Sequence, residues 1–138
     1  MVARFLGMGE PSRTTDTSSD HFAMPSERIA FLARYVKMRS AARDAVFHVV
    51  YHDNSQGLPG PSDWSISAAM LVRPSDGPAW LEGAAPVSPP APGAGAGPLR
   101  MPLPPTWRAG GEGTFYRRET TWLVWHPEGV IELSSTTF

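Results

Sequence analysis

No cysteine occurs in the 138 residues, which excludes disulfide bonds and thiolate-bound zinc or iron–sulfur centres, and with them the usual supports of a small secreted domain. The expected compartment is the cytoplasm. No apolar run approaches the roughly 18 residues that cross a bilayer as a helix. The opening MVARFLGMGE is too short and too broken by glycine for an export signal, so no membrane role is expected. Lysine occurs once, at Lys37, beside 11 arginines and 13 acids. The net charge of −1 leaves no broad positive field to draw nucleic acid. The arginine bias, with abundant Ala, Gly and Pro, reads as the imprint of a GC-rich bacterial coding sequence. Leu, Ile, Val and Phe make up just 27 of 138 residues, yet the near-zero charge argues against a wholly disordered chain.

Proline and glycine, by contrast, number 15 and 13, and they cluster. Residues 84–106, AAPVSPPAPGAGAGPLRMPLPPT, hold 8 Pro and 3 Gly with Arg100 as the single charge. Such a segment lacks donors for a sheet interior and reads as an extended loop. Residues 1–24, with SRTTDTSSD, offer little to bury and read as a mobile leader. The remainder, 25–138, reads as a single α+β domain interrupted by the loop at 84–106.

Within it, Ser26 to Asp44 (SERIAFLARYVKMRSAARD) has the composition of one long amphipathic helix. Ser26 is the expected N-cap, Phe31, Tyr35, Met38 and Ala42 form one stripe, and Ile29, Leu32 and Val36 form its neighbour. Arg28 and Arg39 fall near the middle of that apolar arc, with Arg43 closer to its edge. Either they snorkel past the core, or they meet a buried carboxylate or a ligand. AVFHVVYHD, Ala45 to Asp53, has strand character, with Phe47, Val49 and Tyr51 facing inward and His48 and His52 outward. Trp64 to Val72 is its expected antiparallel neighbour across a Gly/Pro loop. Ser75 to Gly83 predicts a two-turn helix. Thr114 to Trp125 reads as one long strand or two collinear ones, paired with Val130 to Thr136 through a His126-Pro127-Glu128-Gly129 turn. The expected fold class is therefore α+β: an antiparallel sheet of four to five strands, in the order α-β-β-α-β-β, with one long helix packed on one face.

The chain has one asparagine and one glutamine, Asn54 and Gln56, and both follow a His-Asp pair at one strand end. Amides donate and accept at once, which suits ligand recognition and tight turns alike. A pocket there would use His52 as general acid or base oriented by Asp53 or Asp63, with Asn54 and Gln56 orienting the substrate and Trp64 as a wall. His48 and His52, four apart on a strand, stand roughly 13 Å apart, too far to share a metal ion. No metal and no cofactor is expected, because no phosphate-binding loop, dinucleotide-binding glycine pattern or nucleophile elbow is present. Five tryptophans are many for so small a core. Trp122 and Trp125, three apart on a strand, point to opposite faces, so one of them is expected on an aromatic surface open to a partner. Arg117 and Arg118 also alternate, so nucleic-acid binding is not expected. The leading expectation is a non-catalytic accessory protein that docks on a protein partner, or on a second copy as a homodimer, through Trp122 or Trp125 with Arg39. The alternative is a small enzyme or small-molecule binder with its pocket between His52 and Asp63.

Overall fold

A computed structural model describes residues 13–53, 62–90, 97–109 and 111–136. Its frame is an antiparallel sheet of seven strands: β1 (Arg13–Ser18), β2 (Asp44–Asp53), β3 (Ser62–Leu71), β4 (Ala85–Pro86), β5 (Thr114–Arg118), β6 (Thr121–His126) and β7 (Val130–Thr136). Across the sheet they run β1-β2-β3-β7-β6-β5-β4. Two short α-helices, α1 (Pro25–Leu32) and α2 (Gly77–Leu81), and two single 3-10 turns, Ser19–His21 and Pro74–Asp76, complete the regular structure of the described residues. The antiparallel sheet agrees with the sequence; the strand count and the long helix do not.

The register of β2 on β3 sets the rest. Phe47 faces Ala68, Val49 faces Ile66 and Tyr51 faces Trp64, while His48 faces Ser67 and His52 faces Asp63. Since side chains alternate, the first set shares one side of the sheet and the second the other. The first side carries the main core, where Leu32, Phe47, Val49, Ile66, Met70, Trp80, Leu123 and Ile131 are buried beneath α1 and α2. We call it the helix face. Phe22, Phe31 and Phe47 form an aromatic knot in it, with Phe31 stacked on Phe47 at 5.5 Å.

α1 stops at Leu32, twelve residues short of the predicted end at Asp44. Asp44 already begins β2, so a helix that long would leave no chain to reverse direction. After Leu32 the chain tightens, with Tyr35 N–H donating to the Leu32 carbonyl at 2.9 Å, and then runs irregularly across the helix face. The residues that share a helical stripe in sequence, Tyr35, Val36, Met38 and Ala42, pack on the core from this irregular stretch instead. The start also moves: Met24 flanks the helix, Pro25 is its first residue, and Glu27 Oε1 accepts the Met24 N–H at 3.3 Å, so Ser26 is not the cap. Arg28 resolves one of the three anomalous arginines, donating to Asp44 Oδ1 from Nε at 3.0 Å and Nη2 at 2.8 Å, and to the Phe22 carbonyl from Nη1 at 2.9 Å.

Part of the expected leader, Arg13–Ser18, is edge strand β1, paired along β2 from Arg13↔Asp53 to Ser18↔His48. Three threonines in six residues suit a half-solvated edge. Residues 1–12 lie outside the described ones. Thr114 to Trp125 is not one extended run: β5 and β6 fold back as a hairpin in which Arg118 faces Thr121. Its two turn residues, Glu119 and Thr120, include neither glycine nor asparagine, and Glu119 takes φ 55°, so the usual turn signal is missing from the sequence. The predicted 126–129 turn does join β6 to β7. Gly129 sits there at φ 107°, its carbonyl accepts Val72 N–H at 2.8 Å, and a Cβ would run into the Val72 carbonyl. Gly129→Ala is expected to lower unfolding free energy by about 2 kcal/mol, through positive-φ strain and loss of that close seat. A change under about 0.5 kcal/mol in urea titration would show that the turn is not seated against β3.

Residues 91–96 of the proline-rich segment lie outside the described ones; the rest of the segment lies against the sheet. Ala85–Pro86 pairs with β5 as a two-residue edge strand, a place where missing donors do no harm. Farther on, Leu103, Trp107 and Ala109 pack over Ala69, Val130 and Leu71 on the second side of the sheet, the strap face. Trp107, 8% exposed, anchors it. Beneath the strap, Arg100 donates from Nε and Nη2 to the two carboxylate oxygens of Glu132 at 2.6 and 2.7 Å. Glu132 Oε2 also lies 2.6 Å from His126 Nε2, which therefore carries the proton.

Candidate functional site

The helix face is not fully covered. Between the chain that follows α1 and the strands below it lies a cleft of about 490 Å³, within the usual range for small-molecule sites. Its roof is formed by Arg34, Tyr35, Val36, Lys37 and Arg39. Its floor is Tyr51 of β2, Trp64 and Ile66 of β3, Leu133 and Ser135 of β7 and Thr121 of β6, and Trp80, Arg118 and Thr120 close one end. Early termination of α1 creates this space, because a straight helix would carry these residues past the sheet rather than across it. The roof is pinned at both ends. Tyr35 packs against Phe31 and Tyr51, with ring centroids 5.4 and 6.2 Å away. At the other end, Ser40 Oγ accepts the Trp80 indole N–H at 2.8 Å. Ser40 also hydrogen-bonds to Asp76. Burial opposes the charge of that carboxylate, but the hydrogen bonds from Ser40 and Arg73 outweigh it and hold Asp76 below its ordinary pKa.

Among the described residues four cations and no carboxylate or imidazole line the cleft, in a protein whose net charge is −1. Elsewhere arginines meet acids closely: Arg28 with Asp44 at 2.8 Å, Arg73 with Asp76 at 3.2 Å and Arg100 with Glu132 at 2.6 Å. Among the described residues, those of the cleft do not. Arg39 approaches Glu82 no closer than 4.0 Å, and that side chain is 82% exposed. Arg34 lies over the Phe31 and Tyr35 rings at 5.4 and 5.7 Å. Arg118 spends Nη1 on two main-chain carbonyls, those of Trp80 and Glu82, both at 2.9 Å. Burial lowers the Arg118 pKa from its ordinary value and the nearby Arg39 cation pushes the same way, partly offset by Glu119 and Glu82. Arg34 and Lys37 are exposed and Arg39 and Arg118 half-buried, and this excess of positive charge beside the aromatic walls favours an anion.

The sequence-derived candidates are divided by the sheet. Arg39 and Trp64 both line the cleft. His52 and Asp63 face each other across β2 and β3, but on the strap face, where His52 is exposed. Asp53 faces Ser62 at the same strand end. Asn54 and Gln56 lie outside the described residues. The enclosed volume thus adjoins the expected strand end on the opposite side of the sheet, one residue out of phase, with Tyr51 and Trp64 in place of His52 and Asp63. Trp122 and Trp125 point to opposite faces as expected, Trp122 facing Ser134 and Trp125 facing Ile131. Both are half-buried: Arg117 lies over the Trp122 ring at 4.8 Å, and Trp125 packs so closely on Gly77 that a Cβ there would touch its indole. Sequence reasoning missed Arg34, Lys37 and Arg118 as site residues. Alternation separates Arg118 from Arg117, but which of them enters the cleft depends on the β5–β6 hairpin. Among the described residues no group of three His, Asp or Glu could hold a metal ion, and no helix is long and apolar enough to cross a membrane.

Comparisons with protein-family models, with curated proteins and with solved structures return no match, so no relative's role bears on the cleft.

Proposed function

We propose that the protein is a binding module for an organic anion with a flat unsaturated group, held in the cleft on the helix face. The observation that carries this reading is the set of four cleft cations with no carboxylate closer than 4.0 Å among the described residues, set among Tyr35, Tyr51, Trp64 and Trp80. Guanidinium forks hold carboxylate, sulfonate or phosphate through charge-assisted hydrogen bonds, and aromatic walls take the flat part of the ligand. Binding is favoured over catalysis because the described lining has no histidine or carboxylate to move a proton. The reading as a docking protein has less behind it, since the tryptophans expected on its surface are half-buried against Arg117 and Gly77.

Ligand-observed NMR with a panel of aromatic carboxylates, sulfonates and phosphates, each beside its neutral analogue, tests the reading. The charged members are expected to bind saturably and one to one, weakening as salt rises. The double variant Arg39→Ala with Lys37→Ala is expected to weaken them at least tenfold at unchanged thermal stability. If charged and neutral members bind alike, or none binds, the reading fails.

A further inference from the structure

The floor of the cleft changes character across the strands. Ile66 faces Ser135, Ser135 faces Thr121, and Thr121 faces Arg118, so these four form one straight row over β3, β7, β6 and β5. At about 4.8 Å between strands the row is about 14 Å long. Tyr51 and Trp64, paired on β2 and β3, lie two residues along those strands from the Val49–Ile66 pair at its apolar end, so the aromatic end sits diagonally to the row. Arg39 reaches the cleft from the roof, and the Arg118 fork is held in place by the Trp80 and Glu82 carbonyls on Nη1, which leaves Nε and Nη2 without a partner among the described residues. The order is therefore aromatic rings, hydroxyls, then guanidiniums.

Resting on the anion-binding reading above, we infer that the cleft takes a nucleoside 5′-phosphate laid across the strands, with its base at Tyr51 and Trp64, its ribose over Ser135 and Thr121, and its phosphate at Arg39 and Arg118. Each part of such a ligand meets matching chemistry. A base offers a π-face whatever its edge, so Trp64 and Tyr51 can stack on it. Ribose hydroxyls donate and accept, as do those of Ser135 and Thr121. A phosphate dianion between two guanidiniums removes their mutual repulsion and uses the vacant donors of Arg118. A plain aromatic carboxylate leaves the hydroxyl stretch unused and carries half the charge.

Isothermal titration of the full chain with the four nucleoside 5′-monophosphates, the four nucleosides, inorganic phosphate and 1-naphthoate tests the assignment. At least one monophosphate is expected to bind tenfold or more tightly than its nucleoside and than inorganic phosphate. Arg39→Ala is expected to remove that advantage while leaving nucleoside binding within twofold, and Trp64→Leu to weaken both. If thermal melts show that either variant is unfolded, the wild-type ranking alone decides. Binding of naphthoate without any nucleotide overturns the nucleotide assignment and leaves the anion-binding reading standing. Inorganic phosphate binding as tightly as the best nucleotide also overturns it. Silence from every probe overturns both.

Discussion

Replacing Phe47 by alanine is expected to cost about 3–5 kcal/mol of unfolding free energy, the range for emptying an aromatic site in a core. Phe47 has no exposed surface and lies at the centre of β2, stacked on Phe31 at 5.5 Å and tilted against Phe22 at 6.2 Å. Those neighbours belong to α1 and to the turn before it, so the ring is what fastens the helix layer to the sheet. The surroundings cannot readily close the gap, since Ala68 faces Phe47 across the β2–β3 pair and is too small to fill it. Phe47→Leu keeps most of the volume and is expected to cost about 1–2 kcal/mol. Urea unfolding monitored by tryptophan fluorescence reads both changes. A loss below about 1.5 kcal/mol for Phe47→Ala would mean that the aromatic knot does not carry the helix layer.

Glu132→Ala is expected to destabilise by about 3 kcal/mol, nearly all of it from what the carboxylate leaves behind. The Glu132 side chain is 4% exposed and holds Arg100 and His126 at once. His126 is 1% exposed, and its Nδ1 already has no hydrogen-bond partner among the described residues, so losing Glu132 strands both ring nitrogens in the interior. Arg100, 40% exposed, can turn to water. Arg100→Met strips two hydrogen bonds from the buried carboxylate but leaves Glu132 its His126 partner, on a side that is 40% exposed at Arg100, so it is expected to cost less than Glu132→Ala, about 1–2 kcal/mol, and to loosen the strap. Hydrogen exchange separates the two effects: Arg100→Met should speed exchange at Leu99, whose N–H donates to Ser134 Oγ at 3.1 Å, without touching β2 and β3. Equal losses from the two substitutions would sink the distinction between a buried and a water-accessible partner.

The two faces of the sheet are thus covered by different means. Helices and aromatic rings close the helix face except where α1 stops short, and that omission is the cleft. The strap face is sealed at one end by a proline-rich cover latched through Arg100, while its other end carries His48, paired with Asp16 at 2.7 Å, and the exposed His52.

Local pattern was enough to find β2, β3 and the β6–β7 hairpin. Alternation in VFHVVY separates the buried Phe47 and Val49 from exposed His48 and His52, and a proline–glycine turn before VIELSST closes a hairpin unaided. A short helix near α2 was equally plain in composition. Three outcomes were beyond local pattern. Residues 26–44 have helical periodicity throughout, yet the β2 start at Asp44 forces the second half to turn across the sheet, and that turn builds the roof of the cleft. Glu119 adopts positive φ because the Arg118↔Thr121 pairing demands a two-residue reversal, against its own preference. Arg34, Lys37, Arg39 and Arg118 gather from segments some eighty residues apart. Alternation tells which residues share a side of a strand, but only the packing of distant layers decides which side is covered, where the cover ends, and which charges are left facing the gap.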